Sequence, residues 1–192
     1  MNGNAELIRS FIAIGVIESV KSAIIQIQSN LRKLPGANVS WVRPEGVHLT
    51  LKFLGAVERE RLEKLSEALD KYSSRVQPFE VRVTAQGGFP NMRNPRVLWI
   101  GLDGGEVLLQ VQKDVELICR KLGFEKDEKR FHPHLTVCRV KSIDRDSKML
   151  SFFGNEVIPE ISWMPGELRL MESQLSPQGA RYRAISIHKF ED

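Results

Sequence analysis

The chain is sparing with the residues that chemistry most often uses. It holds only two cysteines, Cys119 and Cys138, in 192 residues. That is too few for a disulfide framework, and they sit in no metal-binding spacing, so a reducing, cytoplasmic setting is expected. Long apolar runs are absent. The first, FIAIGVI at 11–17, is far short of a membrane span and is broken by Glu18 and Lys21. With no basic leader or small-residue cleavage site, it reads as neither anchor nor signal peptide, and no membrane partner is expected. Blocks of like charge are also lacking. The net charge of +4 and pI near 9.2 are a modest excess spread along the chain, which tolerates an anionic substrate without demanding one. At 192 residues and 42% hydrophobic, residues 1–192 suit a single domain with one core, or two half-size lobes sharing one, and a monomer is expected.

Histidine and threonine are scarce too, and that scarcity makes their placement informative. There are four His and three Thr, yet two of those Thr stand two places after a His, in HLTLKFLG at 48–55 and HLTVCRVK at 134–141. Random placement would give about 0.06 such pairs in a chain of otherwise ordinary composition.

Apolar spacings of three and four predict helices over 17–34 and 58–75, and a third following Gly104-Gly105, with Gly123 as its C-terminal cap. Between them, β-branched and aromatic runs predict strands at 11–14, 39–42, 48–53, 79–84, 97–100, 134–140, 168–171 and 182–187. The class is α+β. Shifting the chain against itself by 86 positions lays His134 on His48, VLWIG at 97–101 on FIAIG at 11–15, and one helix on another. With one residue of slip, ELRL at 167–170 falls on EVRV at 80–83. The chain reads as two copies of a strand, helix, strand, helix, strand unit, whose related positions meet across a pseudo-twofold axis.

Alternation on a strand puts His48 and Thr50 on one face and Leu49, Leu51 and Phe53 on the other, and likewise His134 and Thr136 against Leu135 and Val137. Two imidazoles facing one cleft can divide the work of acid and base, since histidine titrates nearest neutrality. The two hydroxyls can donate to non-bridging oxygens of an anion held between them. The natural reaction of such a set is displacement at phosphorus, with no cofactor and no covalent enzyme intermediate. A rival reading makes His48, His132 and His134 metal ligands, although no carboxylate or cysteine stands at ligand spacing beside them. Lys52, two places beyond Thr50, is a candidate for the phosphate backbone of a substrate, with a solvated edge lysine as the plain alternative. His132, beside Pro133, is read as a residue leading into its strand that can touch substrate, and His188 as structural.

The stretches FIAIGV, WVRPEGVHLTLKFLG, FHPHLTVCRV and LMESQLSPQGARY, in this order over nearly the whole chain, resemble the two-histidine (2H) phosphoesterase superfamily and, within it, the LigT-like RNA 2′,3′-cyclic phosphodiesterases. The resemblance implies a bilobal fold with two antiparallel sheets facing across a central cleft and helices outside. It implies hydrolysis of a terminal 2′,3′-cyclic phosphate, on RNA ends or nucleotides, to a 2′-phosphomonoester without metal or cofactor. Carried onto this sequence, the two motifs are His48-Leu49-Thr50-Leu51 and His134-Leu135-Thr136-Val137. His48 becomes the proton donor and His134 the proton acceptor, while Thr50, Thr136 and Arg139 become phosphate contacts. The residues themselves leave the direction of proton transfer open. Minor 2′,5′ ligation, by the reverse reaction, belongs to the same reading. A non-catalytic RNA-end or nucleotide-binding module, and a phosphodiesterase for another small cyclic phosphate, are the alternatives. Strict alternation would put Arg139 on the core face with Leu135, so either the strand ends or bulges before it or Arg139 is structural.

Overall fold

A computed structural model describes residues 6–176 and 179–191. In chain order the elements are β1 (Leu7–Gly15), α1 (Glu18–Arg32), β2 (Ala37–Trp41), a 3-10 turn (Pro44–Gly46), β3 (His48–Glu58), α2 (Arg59–Ser73), β4 (Val81–Phe89), β5 (Val97–Asp103), α3 (Gly105–Lys121), β6 (His134–Ile143), α4 (Met149–Gly154), β7 (Ser162–Trp163), β8 (Glu167–Ser176) and β9 (Gly179–Lys189). The three predicted long helices and all eight predicted strands are present. The helices end close to the positions predicted, and Gly123 takes the left-handed conformation (φ 78°) expected of a residue following a helix C-terminus. The short α4 and two-residue β7 were not predicted, being too brief to show a period.

The strands form two antiparallel sheets, ordered β3-β1-β8-β9 and β2-β6-β5-β4-β7. The repeat is visible in the register. Ile14 faces Leu49 and Gly15 faces His48 in one sheet, while Ile100 faces Leu135 and Gly101 faces His134 in the other. Each half nevertheless gives strands to the other's sheet, β2 and β4 from the first half and β8 and β9 from the second. β4, from the first half, pairs with β5, and β8, from the second half, pairs with β1. The helices cross over as well, with α1 packed on β6 and α3 packed on β3.

The helices cover the outer sheet faces. Val20, Ile24, Leu62, Leu65, Leu69, Leu108, Val111 and Val115 bury against Ile12, Ile14, Leu49, Leu51, Leu168 and Leu170. Ile27 and Leu31 of α1, with Met149 and Phe153 of α4, cover Leu98, Ile100, Val137 and Cys138. Each such aliphatic side chain contributes about 1.5–3 kcal/mol by leaving water. The inner faces are thereby left to line the cleft, where a separate small cluster of Phe11, Ala13 and Met171 packs with Tyr182.

Candidate active site

Each histidine begins its strand, and each is reached through a proline-containing approach: the Pro44–Gly46 turn before β3, and Pro133 before β6. The alternation that follows is as predicted. Leu49, Leu51, Leu135 and Val137 are buried in the core, while His48, Thr50, His134 and Thr136 are half-buried and line one cavity of about 460 Å³ between the sheets.

Nδ1 of His134 lies 2.7 Å from the carbonyl oxygen of His132. A carbonyl can only accept, so Nδ1 carries the proton and Nε2 presents a lone pair. The backbone of Gly46, two residues upstream of His48, acts on that ring to raise its pKa. Both rings are also held by aromatics. Phe11 stacks on His48 at 4.7 Å between centroids, Tyr182 meets it edge-on at 5.1 Å, and Phe89 meets His134 edge-on at 5.0 Å. None of these three was singled out as functional from the sequence. Phe11 and Tyr182 lie within the stretches that carry the resemblance, but nothing in one sequence separates them from core aromatics.

Burial sets the protonation of both rings. His48 is lowered from 6.5 to about 4, chiefly by desolvation, with the nearby charges of Arg139 and His134 acting in the same direction and the Gly46 bond opposing. His134 is also lowered, first by desolvation and then by the charges of His132 and Arg139, with the His132 carbonyl opposing. Both imidazoles are therefore neutral in the free protein at pH 7, and an anion entering the cleft would raise both.

Arg139 reaches the cleft because β6 bulges. Leu98 pairs with Cys138 but Trp99 pairs with Thr136, so Val137 is the extra residue and the alternation reverses after it. Arg139 consequently lines the cavity with the histidines while Cys138 turns into the core. β3 carries the same bulge at Leu51, since Ile12 pairs with Lys52 and Ala13 with Thr50. This overturns two sequence expectations. Lys52 is turned away from the cleft and is only 2% exposed. Its Nζ donates to Glu116 Oε2 and to the Glu125 carbonyl, each at 2.8 Å, with Asp127 at 3.8 Å. Phe53, expected in the core, is instead turned into the cleft and is 60% exposed.

His132 is exposed and tilts against Trp99 at 4.6 Å, serving His134 through its backbone. Among the described residues no three His, Cys, Asp or Glu side chains gather as a metal-binding group, so the His48, His132 and His134 triad is not assembled. His188 is buried, within 2.9 Å of Ser186 Oγ and 3.4 Å of Asp70 Oδ1, consistent with a structural role. Among the described residues no helix is long and apolar enough to cross a membrane.

Two antiparallel sheets, helices on their outer faces and a duplicated His-x-Thr cleft between them define a phosphoesterase of the two-histidine class. The chain belongs to the LigT like Phosphoesterase family, whose model matches residues 14–99 and 100–182. It is 32% identical over 183 residues to the RNA 2′,3′-cyclic phosphodiesterase of Methanothermobacter thermautotrophicus, covering 95% of this chain and 98% of that one. It is 34% identical over 180 residues to the enzyme of the same name from Archaeoglobus fulgidus, covering 93% and 98%. A crystal structure of a Thermus thermophilus protein superposes with a TM-score of 0.82 at 25% identity, over 95% of this chain and 97% of that one.

Proposed function

We propose that this protein hydrolyses the 2′,3′-cyclic phosphate at RNA ends to a 2′-phosphomonoester, using two histidines and no metal. His134, with its proton fixed on Nδ1, uses Nε2 to take a proton from water as the water oxygen bonds to phosphorus. The bond from phosphorus to the 3′ oxygen breaks, and His48 donates a proton to that oxygen, leaving a 3′-hydroxyl. His48 is neutral in the free protein, so it takes up its proton together with the anionic substrate. Thr50, Thr136 and Arg139 hold the non-bridging oxygens, where charge builds in the transition state. The same groups acting in reverse would join a cyclic phosphate to a 5′-hydroxyl as a minor 2′,5′-ligase activity.

The observation that carries this reading is the pair of rings facing one cavity with a hydroxyl beside each, His134 tied to the carbonyl two residues upstream. The relatives named as RNA 2′,3′-cyclic phosphodiesterases point to the same substrate. The test is incubation with an RNA ending in a 2′,3′-cyclic phosphate, with excess chelator, followed by 31P NMR of the product. Conversion to a 2′-phosphomonoester is expected. Binding without turnover would make the protein an RNA-end binding module, and loss of activity on chelation with recovery on zinc would restore a metal mechanism.

A further inference from the structure

The catalytic groups occupy only part of the cavity. It continues along β1 and β3, away from the histidines, where Phe53, Arg9 and Leu175 also line it. Their order is set by the register. Ala13 sits beside Thr50, Phe11 beside Phe53, and Arg9 beside Ala56. Arg9 is four residues from Ala13 on the same strand, which places its Cα about 13 Å farther along the cleft. Phe53 lies between, with 60% of its surface exposed.

An aromatic ring this exposed on the face of a cleft contributes little to the core, and its packing partner Phe11 touches it only obliquely, at 6.0 Å and 45°. Arg9 is exposed and has no ion-pair partner among the described residues, although Glu6 and Glu172 nearby pair with Arg59 and Arg183. The charge of Arg139 acts on both histidines. With its Cα about 13 Å farther along the cleft, Arg9 stands apart from the phosphorus atom that the histidines address. An exposed ring followed by an unpaired guanidinium is the combination by which proteins grip single-stranded nucleic acid, base on ring and phosphate on cation.

Building on the function proposed above, we infer that Phe53 and Arg9 form a second subsite that holds the RNA strand one step 5′ of the cyclic end. Phe53 stacks the penultimate base, and Arg9 pairs with a phosphodiester that a mononucleotide does not possess. The enzyme consequently favours an RNA chain over a nucleoside 2′,3′-cyclic phosphate.

The test compares a nucleoside 2′,3′-cyclic phosphate with a tetranucleotide ending in the same group, using the wild-type protein, Arg9→Gln, Phe53→Leu and, as a charge control on the far surface, Arg75→Gln. The ratio of kcat/KM for tetranucleotide to that for mononucleotide is expected to fall about tenfold in Arg9→Gln and in Phe53→Leu and to hold in Arg75→Gln. The salt dependence of tetranucleotide KM is expected to lose about 0.7 in log–log slope in Arg9→Gln. An unchanged ratio in both cleft variants, or an equal fall in Arg75→Gln, overturns the subsite. Failure of the wild-type protein to turn over either substrate would instead overturn the proposed function.

Discussion

Phe53 and Arg139 occupy the same position in the two halves, each five residues beyond its histidine and each brought to the cleft by a one-residue bulge. The backbone there is duplicated and the chemistry is not. At this one position the first wall offers a ring and the second a positive charge.

Replacing either cleft histidine tests the proposed chemistry most directly. His48→Ala and His134→Ala are each expected to lower kcat by roughly 10² to 10⁴, with circular dichroism and thermal midpoint close to wild type. A variant retaining more than about a tenth of wild-type kcat would remove that histidine from proton transfer.

The protonation states predict an acid-shifted profile. His48 titrates near 4 and His134 below its ordinary 6.5 in the free protein. The bell for kcat/KM, which reports the free enzyme, is expected to peak below pH 6.5. The profile for kcat should lie higher, because bound phosphate stabilises both imidazolium forms. Coincident profiles would show that the anion does not act on the histidines.

Folding should respond to the same shift. An unfolded chain protonates His48 near 6.5 while the folded chain resists until about pH 4, so across this window the unfolded state binds more protons. Stability therefore falls as the pH falls from 6.5 to 4. His48→Asn removes this contribution. Urea titrations are expected to show that the wild type loses about 2–3 kcal/mol more than His48→Asn over the window.

Arg139→Ala is expected to raise KM about 10- to 100-fold, as loss of a charge-assisted phosphate contact should. It should also raise the pH of the acid limb, because the guanidinium depresses both histidines. An unchanged acid limb would separate Arg139 from the dyad.

Lys52 should behave as a structural residue. Lys52→Met leaves Glu116 and the Glu125 carbonyl without their cation. Since Glu116 is partly exposed, a loss of about 2–3 kcal/mol is expected, at the low end for a broken buried pair. The salt dependence of KM should be unchanged. A lower salt slope would return Lys52 to the substrate site.

The sequence was legible wherever a period ran unbroken. Leu62, Leu65 and Leu69 predict the buried stripe of α2, and His48, Thr50, His134 and Thr136 could be placed on one face because β3 and β6 begin with strict alternation. Reading failed at the bulges. One extra residue in each strand exchanges the two faces, which moves Lys52 inward and Phe53 outward while the amino acids themselves give no sign of it. At Arg139 the role implied by the resemblance is incompatible with simple alternation, which leaves a strand end, a bulge or a structural arginine open, and the register selects the bulge. Phe11, Phe89 and Tyr182 escaped notice because contact with an imidazole is a tertiary fact. The pairing partners of β4 and β8 were likewise hidden, since a repeat fixes what the halves are and leaves open which sheet each strand joins.

The crossing of strands between sheets bears on assembly. Neither half holds a whole sheet, because β1 and β3 are continued by β8 and β9 while β5 and β6 are flanked by β4 and β2. A chain severed between β4 and β5 is therefore expected to regain its cleft only when both pieces are mixed.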